Sequence, residues 1–163
     1  MDATERPVVS NTTPLINLAG VGLLNLLPNI YGTITISTVV RKEYEAGRRP
    51  SEPLLNQLPW LRIIDFVPFD VVLPHNLDRG EATTIRLALA VHASAVLLDE
   101  QLARRVAVAH NLPIVGTLGV LLVARQTALI PALRPVIDQM IAQGRRISPT
   151  LRATIVRAAG EEP

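Results

Sequence analysis

Four acidic side chains stand at places in this sequence where chemistry could be done: Glu43, Glu81 and the adjacent pair Asp99-Glu100. Asp99-Glu100 directly follows the apolar run AVLL, Glu81 follows a glycine at the head of an amphipathic stretch, and Glu43 lies a few residues beyond the β-branched TITI. Ser10-Asn11-Thr12 follows the apolar pair Val8-Val9 in the same manner. If Glu43, Glu81 and Asp99 gather at one place, their charges repel unless a cation lies between them. Hard oxygen ligands suit Mg²⁺ or Mn²⁺, which keep several waters and pair with substrate phosphates. Such an ion polarises a phosphodiester and supplies a hydroxide nucleophile. A plainer reading stands beside this one: Glu81 complements the positive end of a helix and Glu43 is a surface residue. Spacing alone leaves both open.

Other chemistries lack their residues. The chain has no cysteine, which removes a disulfide framework, a zinc–thiolate site and a cysteine nucleophile. Neither G-x-x-x-x-G-K-S/T nor G-x-G-x-x-G occurs after the first apolar run, and no G-x-S-x-G occurs anywhere. His75, His92 and His110 show no metal-ligand spacing, and the last two suit helix C-termini. The basic residues are fifteen arginines and Lys42, yet the net charge is only +2, a weak footprint for nucleic acid taken as a whole. Arg48-Arg49, Arg104-Arg105 and Arg145-Arg146 are local pairs that fit either phosphate or a solvated face. With 3% aromatic residues there is no stacking platform for bases, so contact with nucleic acid runs through phosphates or a metal.

These residues need a scaffold that brings strand ends together. Alternating strand and helix patterns supply one. Strands are expected over Pro7 to Ser10, Thr33 to Ile36, Arg62 to Val67, Ala95 to Leu98 and Pro113 to Val115. Helices are expected to open at Thr13-Pro14, to run over Leu23 to Leu27, to follow a Ser37-Thr38 cap as far as Gly47, and to gather around Leu54 to Leu58. Further helices are expected from Gly80-Glu81, over Glu100 to His110, Leu118 to Gln126, Ala132 to Ala142 and Thr150 to Ala158, with a proline-bounded connector from Pro68 to Asp78. This order predicts one α/β domain with a mainly parallel sheet and a helical C-terminal extension from about Ala132. In such sheets ligands bind outside the carboxyl ends of the strands, where Asn11, Glu43, Asp99 and Glu100 fall and near which Glu81 begins its helix.

Hydrophobic residues make up 48% of the chain and charged ones 18%, which excludes intrinsic disorder. The uncharged stretch from Pro7 to Val40 is broken by Asn11, Pro14, Asn17, Pro28 and Gly32, and no basic segment precedes an apolar one at the start. A soluble, cytoplasmic protein without membrane association is the expectation. Leu23, Leu24, Leu26 and Leu27 crowd a short segment, which predicts self-association.

Four segments carry a resemblance: VVSNTTPLINLAGVGLL, LDRGEATTIRLALA, AVLLDEQLARRVAVAHNLPIVGTLGVLLVA and GRRISPTLRATIVRAAGE. In that order, and with D-x-G-E-A at Asp78 to Ala82 and G-T-L-G at Gly116 to Gly119, the chain resembles the PIN-domain family from about Val8 to Glu161. It is most similar to a VapC-like, toxin-related branch of small prokaryotic PIN-like proteins. The resemblance implies a three-layer α/β/α fold and a metal-dependent ribonuclease using Mg²⁺ or Mn²⁺. It implies Glu43, Glu81 and Asp99 as catalytic acids, and Asn11, Glu43, Glu81, Asp99 and Glu100 as metal ligands. Thr12 and Thr117 match positions beside the site, and Arg104 and Arg105 are candidates for holding RNA. It also implies pairing into a homodimer and a small antitoxin protein as partner. One position departs from the pattern: the family's usual aspartate at the end of strand one is Asn11 here. An amide oxygen still coordinates a hard cation, but one negative charge is gone. The alternative reading is therefore a catalytically weak PIN-fold protein that binds RNA or a partner and acts by regulation.

Overall fold

The structure is a computed structural model and describes residues 6–65 and 70–163. Among these, β1 (Val8–Ser10), β2 (Ile34–Ser37), β3 (Leu61–Ile64), β4 (Ala95–Leu97) and β5 (Ile114–Val115) form one parallel sheet in the order β3-β2-β1-β4-β5. Side chains alternate across a strand, so neighbouring residues serve opposite cores. Val8, Ile34, Ile36 and Leu97 point into one apolar cluster, and Val9, Val96 and Leu98 into the other. Both faces of the sheet are covered, which explains the nearly continuous apolar strands.

The first core is closed by α1 (Thr12–Gly20), α2 (Leu26–Tyr31), α3 (Thr38–Gly47), α6 (Thr117–Gln126), α7 (Arg134–Ala142) and α8 (Pro149–Ala158). Leu15, Leu27, Tyr44, Leu121, Ile137 and Val156 are among the residues they bury there. The second core is closed by α4 (Arg79–Ala90) and α5 (Gln101–Ala109) through Ile85, Ala88, Ala103 and Ala107. The result is a three-layer α/β/α fold. Both C-terminal helices, α7 and α8, share the first core with the sheet.

Strand order places the site. The chain enters at the central β1, winds outward to β3, then returns to lay β4 against the free side of β1. Connections leaving β1 and β4 diverge, and such a reversal opens a crevice at the carboxyl edge of a parallel sheet. Ser10 lies opposite Leu97, and the Asn11 N–H donates to the Leu97 carbonyl at 3.0 Å, so the two strand ends are tied where the crevice begins.

Several elements differ from expectation, each for a local reason. α1 begins at Thr12, with Asn11 in the N-cap position and no side-chain cap bond; the Asn11 Oδ1 accepts from Thr84 Oγ1 instead. α2 runs over Leu26–Tyr31 rather than ending before Pro28. Pro28 occupies its first turn, where the missing N–H has no partner to lose. Leu24, Leu26 and Leu27 are buried in the chain's own core, so the crowding of leucines finds its outlet within one molecule. Leu55–Gln57 form a single 3₁₀ turn instead of a helix. β3 ends at Ile64, and the part of the expected strand and connector at 66–69 lies outside the described residues. No helix among the described residues is long and apolar enough to cross a membrane.

At the far end of the chain Glu161 ties three helices. Its carboxylate accepts from Arg125 Nε at 2.9 Å and from the backbone N–H groups of Leu133 and Arg134 at 2.6 and 3.0 Å. It thus satisfies donors at the start of α7 from beyond the end of α8.

Candidate active site at the carboxyl edge of the sheet

Ser37 sets the first acid in place. It caps α3 through its hydroxyl, which accepts from Val40 N at 3.1 Å, so the helix starts as soon as β2 ends. Glu43 then projects toward α1, where Thr12 Oγ1 donates to its Oε2 at 2.6 Å. On its other side lies α4, and here the glycine of D-x-G-E-A shows its purpose. A Cβ on Gly80 would stand 2.8 Å from Glu43 Oε1 and 2.9 Å from Cδ, too close for any real side chain. Gly80 is the space in which the Glu43 carboxylate sits.

The flanking residues of the same motif build the second acid. Asp78 accepts from Glu81 N at 2.7 Å while Glu81 Oε2 accepts from Asp78 N at 3.1 Å, a reciprocal capping box at the head of α4. Glu81 is only 6% exposed, and burial is the main cause that pushes its carboxyl above the ordinary value. The Asp78 N–H opposes this, while the charges of Asp78, Glu100 and Glu43 add to it. The helix-end role that the plainer reading gave Glu81 is thus real, and it coexists with a crowd of like charges.

Asp99 is held differently. Its Oδ1 accepts from Thr117 N at 2.7 Å, and its Oδ2 accepts from Thr117 Oγ1 at 2.5 Å and from Asn17 Nδ2 at 3.0 Å. α6 has a glycine in its N-cap position, so Asp99 provides the missing cap from the end of β4. Gly116 leaves room here too: a Cβ would lie 2.5 Å from Arg104 Nη1 and 3.1 Å from Asp99 Oδ1, so both side chains would have to shift. Of the pair after β4, Glu100 is the residue whose charge reaches Glu81.

Asn11 is buried, and its Oδ1 accepts from Thr84 Oγ1 at 3.4 Å. Arg104 donates from Nη1 to the Leu98 carbonyl at 3.3 Å and lines a groove of about 950 Å³ that also contains Asp99, Glu100 and Thr117. Arg105 is exposed and does not line it. Gly80 and Gly116 stood in the D-x-G-E-A and G-T-L-G motifs without a reason for being glycine, and the site roles of Asn17 and Thr84 were not foreseen. For Asn17 the available signal was its place on the apolar face of TTPLINLAG.

Among the described residues, no three acidic or imidazole groups close around one point as a preformed metal cage would. The donor set is all oxygen, and Asn17 Oδ1, buried beside Asp99, has no hydrogen-bond partner. These features fit a hard cation bound through one or two carboxylates with water completing its shell, the manner in which Mg²⁺ is commonly held.

A family model described as a PIN domain matches residues 7–161. Comparison with curated proteins and comparison with solved structures each gave no match. The three-layer architecture, the reversal between β1 and β4 and the match over nearly the whole chain agree: this chain belongs to the PIN-domain family.

Proposed function

We propose that this protein is a metal-dependent ribonuclease of the PIN type, acting in the cytoplasm as the toxin of a toxin–antitoxin pair. The observation that carries the reading is buried Glu81, 6% exposed, with the charges of half-buried Glu43 and of exposed Asp78 and Glu100 acting on it and a single backbone donor, Asp78 N–H, to offset them. A divalent cation answers that charge, and a nuclease is the activity for which PIN folds use one. Asn11, Glu43, Glu81, Asp99 and Glu100 would hold Mg²⁺ or Mn²⁺, which when bound polarises a phosphodiester and lowers the pKa of its water. Glu43, fixed by Thr12 and Gly80, orients the site from α3, and Asp99, fixed by Thr117 and Asn17, from β4. A homodimer and a small antitoxin belong to the same reading and rest on the resemblance alone.

Asn11 supports the second reading, a PIN-fold protein that binds RNA with little cleavage. One assay separates them: RNA cleavage with Mg²⁺ or Mn²⁺ by the wild type, Asn11→Asp and Glu43→Gln, with calorimetric titration of the metal. The nuclease reading expects metal-stimulated cleavage that Glu43→Gln removes and tighter metal binding in Asn11→Asp. RNA binding without cleavage in the wild type, with cleavage gained in Asn11→Asp, establishes the second reading. Absence of both binding and cleavage sinks both.

A further inference from the structure

We infer that the groove between the carboxyl edge of the sheet and the α7–α8 turn is a track for single-stranded nucleic acid, with Arg145 and Arg146 as its phosphate contacts. This deepens the proposed function and rests on it for the chemistry at the groove's end. The groove, about 950 Å³, is lined by Asp99, Glu100 and Thr117, by Arg104, Arg145 and Arg146, and by apolar Leu118, Ile147 and Leu151, of which Leu151 is 46% exposed.

Charge decides the occupant. The salt bridges among the described residues engage Arg125, Arg134 and Arg152, and none engages the three arginines of the groove. Arg152, on the neighbouring helix, is committed to Asp138 through Nε at 2.8 Å and Nη2 at 3.0 Å. Asp99 turns its oxygens to Thr117 and Asn17 and leaves Arg104 to a backbone carbonyl. Three guanidinium groups without carboxylate partners among the described residues thus line one channel, and a guanidinium matches a phosphate with two parallel donors. Gly144 fixes the two at the turn. It stands at φ 93°, a left-handed conformation that ends α7 and sends the next residues back, so that Arg145 N donates to the Met140 carbonyl at 3.0 Å. A polyanion whose backbone is gripped here and whose apolar parts lie on Leu118 and Leu151 is a single strand. Duplex bases are stacked inside and unavailable to such a wall.

The test is fluorescence anisotropy of a labelled single-stranded RNA oligonucleotide in EDTA, where no cleavage intervenes, over a range of salt concentrations. Replacing both Arg145 and Arg146 with Ala should reduce the slope of log K against log salt by about 1.4, since each phosphate contact on a single strand contributes about 0.7. The Arg145→Lys, Arg146→Lys double variant should restore most of the slope, and Arg152→Ala should leave it as in the wild type. A wild type that binds and cleaves while the Ala double variant keeps the full slope overturns the track and assigns this turn to protein contacts. A wild type that binds no single strand overturns the track and the ribonuclease reading together. Binding with the expected slope change, but no cleavage when Mn²⁺ is returned, overturns the ribonuclease reading and leaves the track standing.

Discussion

Glu81 and Glu161 are the same side chain in two opposite predicaments. Each meets the start of a helix, α4 or α7, and each is sheltered from solvent. Burial alone would raise the carboxyl of Glu161. The N–H groups of Leu133 and Arg134 and the Arg125 guanidinium outweigh it and hold the group below its ordinary value. Glu81 has one backbone donor against burial and three neighbouring acids, and it ends above its ordinary value. A glutamate that serves only the fold is given donors until its charge is comfortable. One left short of them, in a crevice among like charges, is the group to which the proposed function assigns a cation.

The contrast is broken most forcefully by treating both positions alike. Glu81→Gln should lower metal-stimulated RNA cleavage by about 100-fold, as loss of an electrostatic group at a charged site does. Its stability should hold or rise, because glutamine can still accept from Asp78 N in the capping box. Glu161→Gln should do the reverse, costing about 1–2 kcal/mol of stability through weakened charge-assisted bonds while cleavage stays near wild type. Paired cleavage assays and denaturant titrations read both effects. Equal effects of the two changes on either measurement would erase the distinction.

A second, smaller perturbation leaves every acid in place. Gly80→Ala puts a methyl group where the Glu43 carboxylate lies and must displace it from Thr12. Helix propensity would favour alanine by up to about 1 kcal/mol. Cleavage should fall by about 10-fold or more with little loss of stability, and a crystal structure should show Glu43 turned away. An undisturbed Thr12–Glu43 bond in that variant would mean the space is not needed.

The smallest effect is a difference in sign with pH. Folded protein keeps the Glu81 proton longer than unfolded chain, so the unfolded state binds fewer protons and stability falls as pH rises from 4.5 through the raised folded value. Glu161 releases its proton earlier when folded. Its contribution is present above 4.5 and is lost as pH falls through the lowered value. Thermal unfolding from about pH 3 to pH 7 should show the Glu81→Gln minus wild-type difference in Tm growing more positive and the Glu161→Gln difference growing more negative. Two differences of the same sign would contradict the assignment of opposite shifts.

Much of the fold could be read from the sequence because its signals are local. AVLL and TITI mark buried strands, Ser37 caps α3 through its own hydroxyl, and Asp78 with Glu81 forms a capping box within four residues. Glu43, Glu81, Asp99 and Glu100 could be picked out as acids near strand ends for the same reason. Thr12 and Thr117 could be placed beside the site only through the resemblance, and the contacts that hold the acids could not be read at all. Asn17 meets Asp99 across 82 positions, Thr117 reaches it from another helix, and Gly80 is shaped by a carboxylate on α3. The leucines near Leu24 are dense for one helix face, but the sheet and α6 bury them too, so their density does not itself call for a second copy. Contacts between distant segments leave no period in a sequence, and both the site's precision and the leucines' burial consist of such contacts.

The strand order also has a consequence in time. Thr12 and Glu43 lie 31 residues apart, and the strands that precede their helices, β1 and β2, are neighbours, so this half of the site can assemble from an early part of a growing chain. Asp99 reaches Asn17 only when β4 returns to β1, and Thr117, which also fixes Asp99, is made later still. Closing so long a loop is slow compared with local pairing. A nascent chain emerging from a ribosome therefore carries an incomplete set of acids until Glu100 has been made. Asp99 gains its full set of hydrogen-bond partners only after the region around Thr117 has cleared the tunnel and docked.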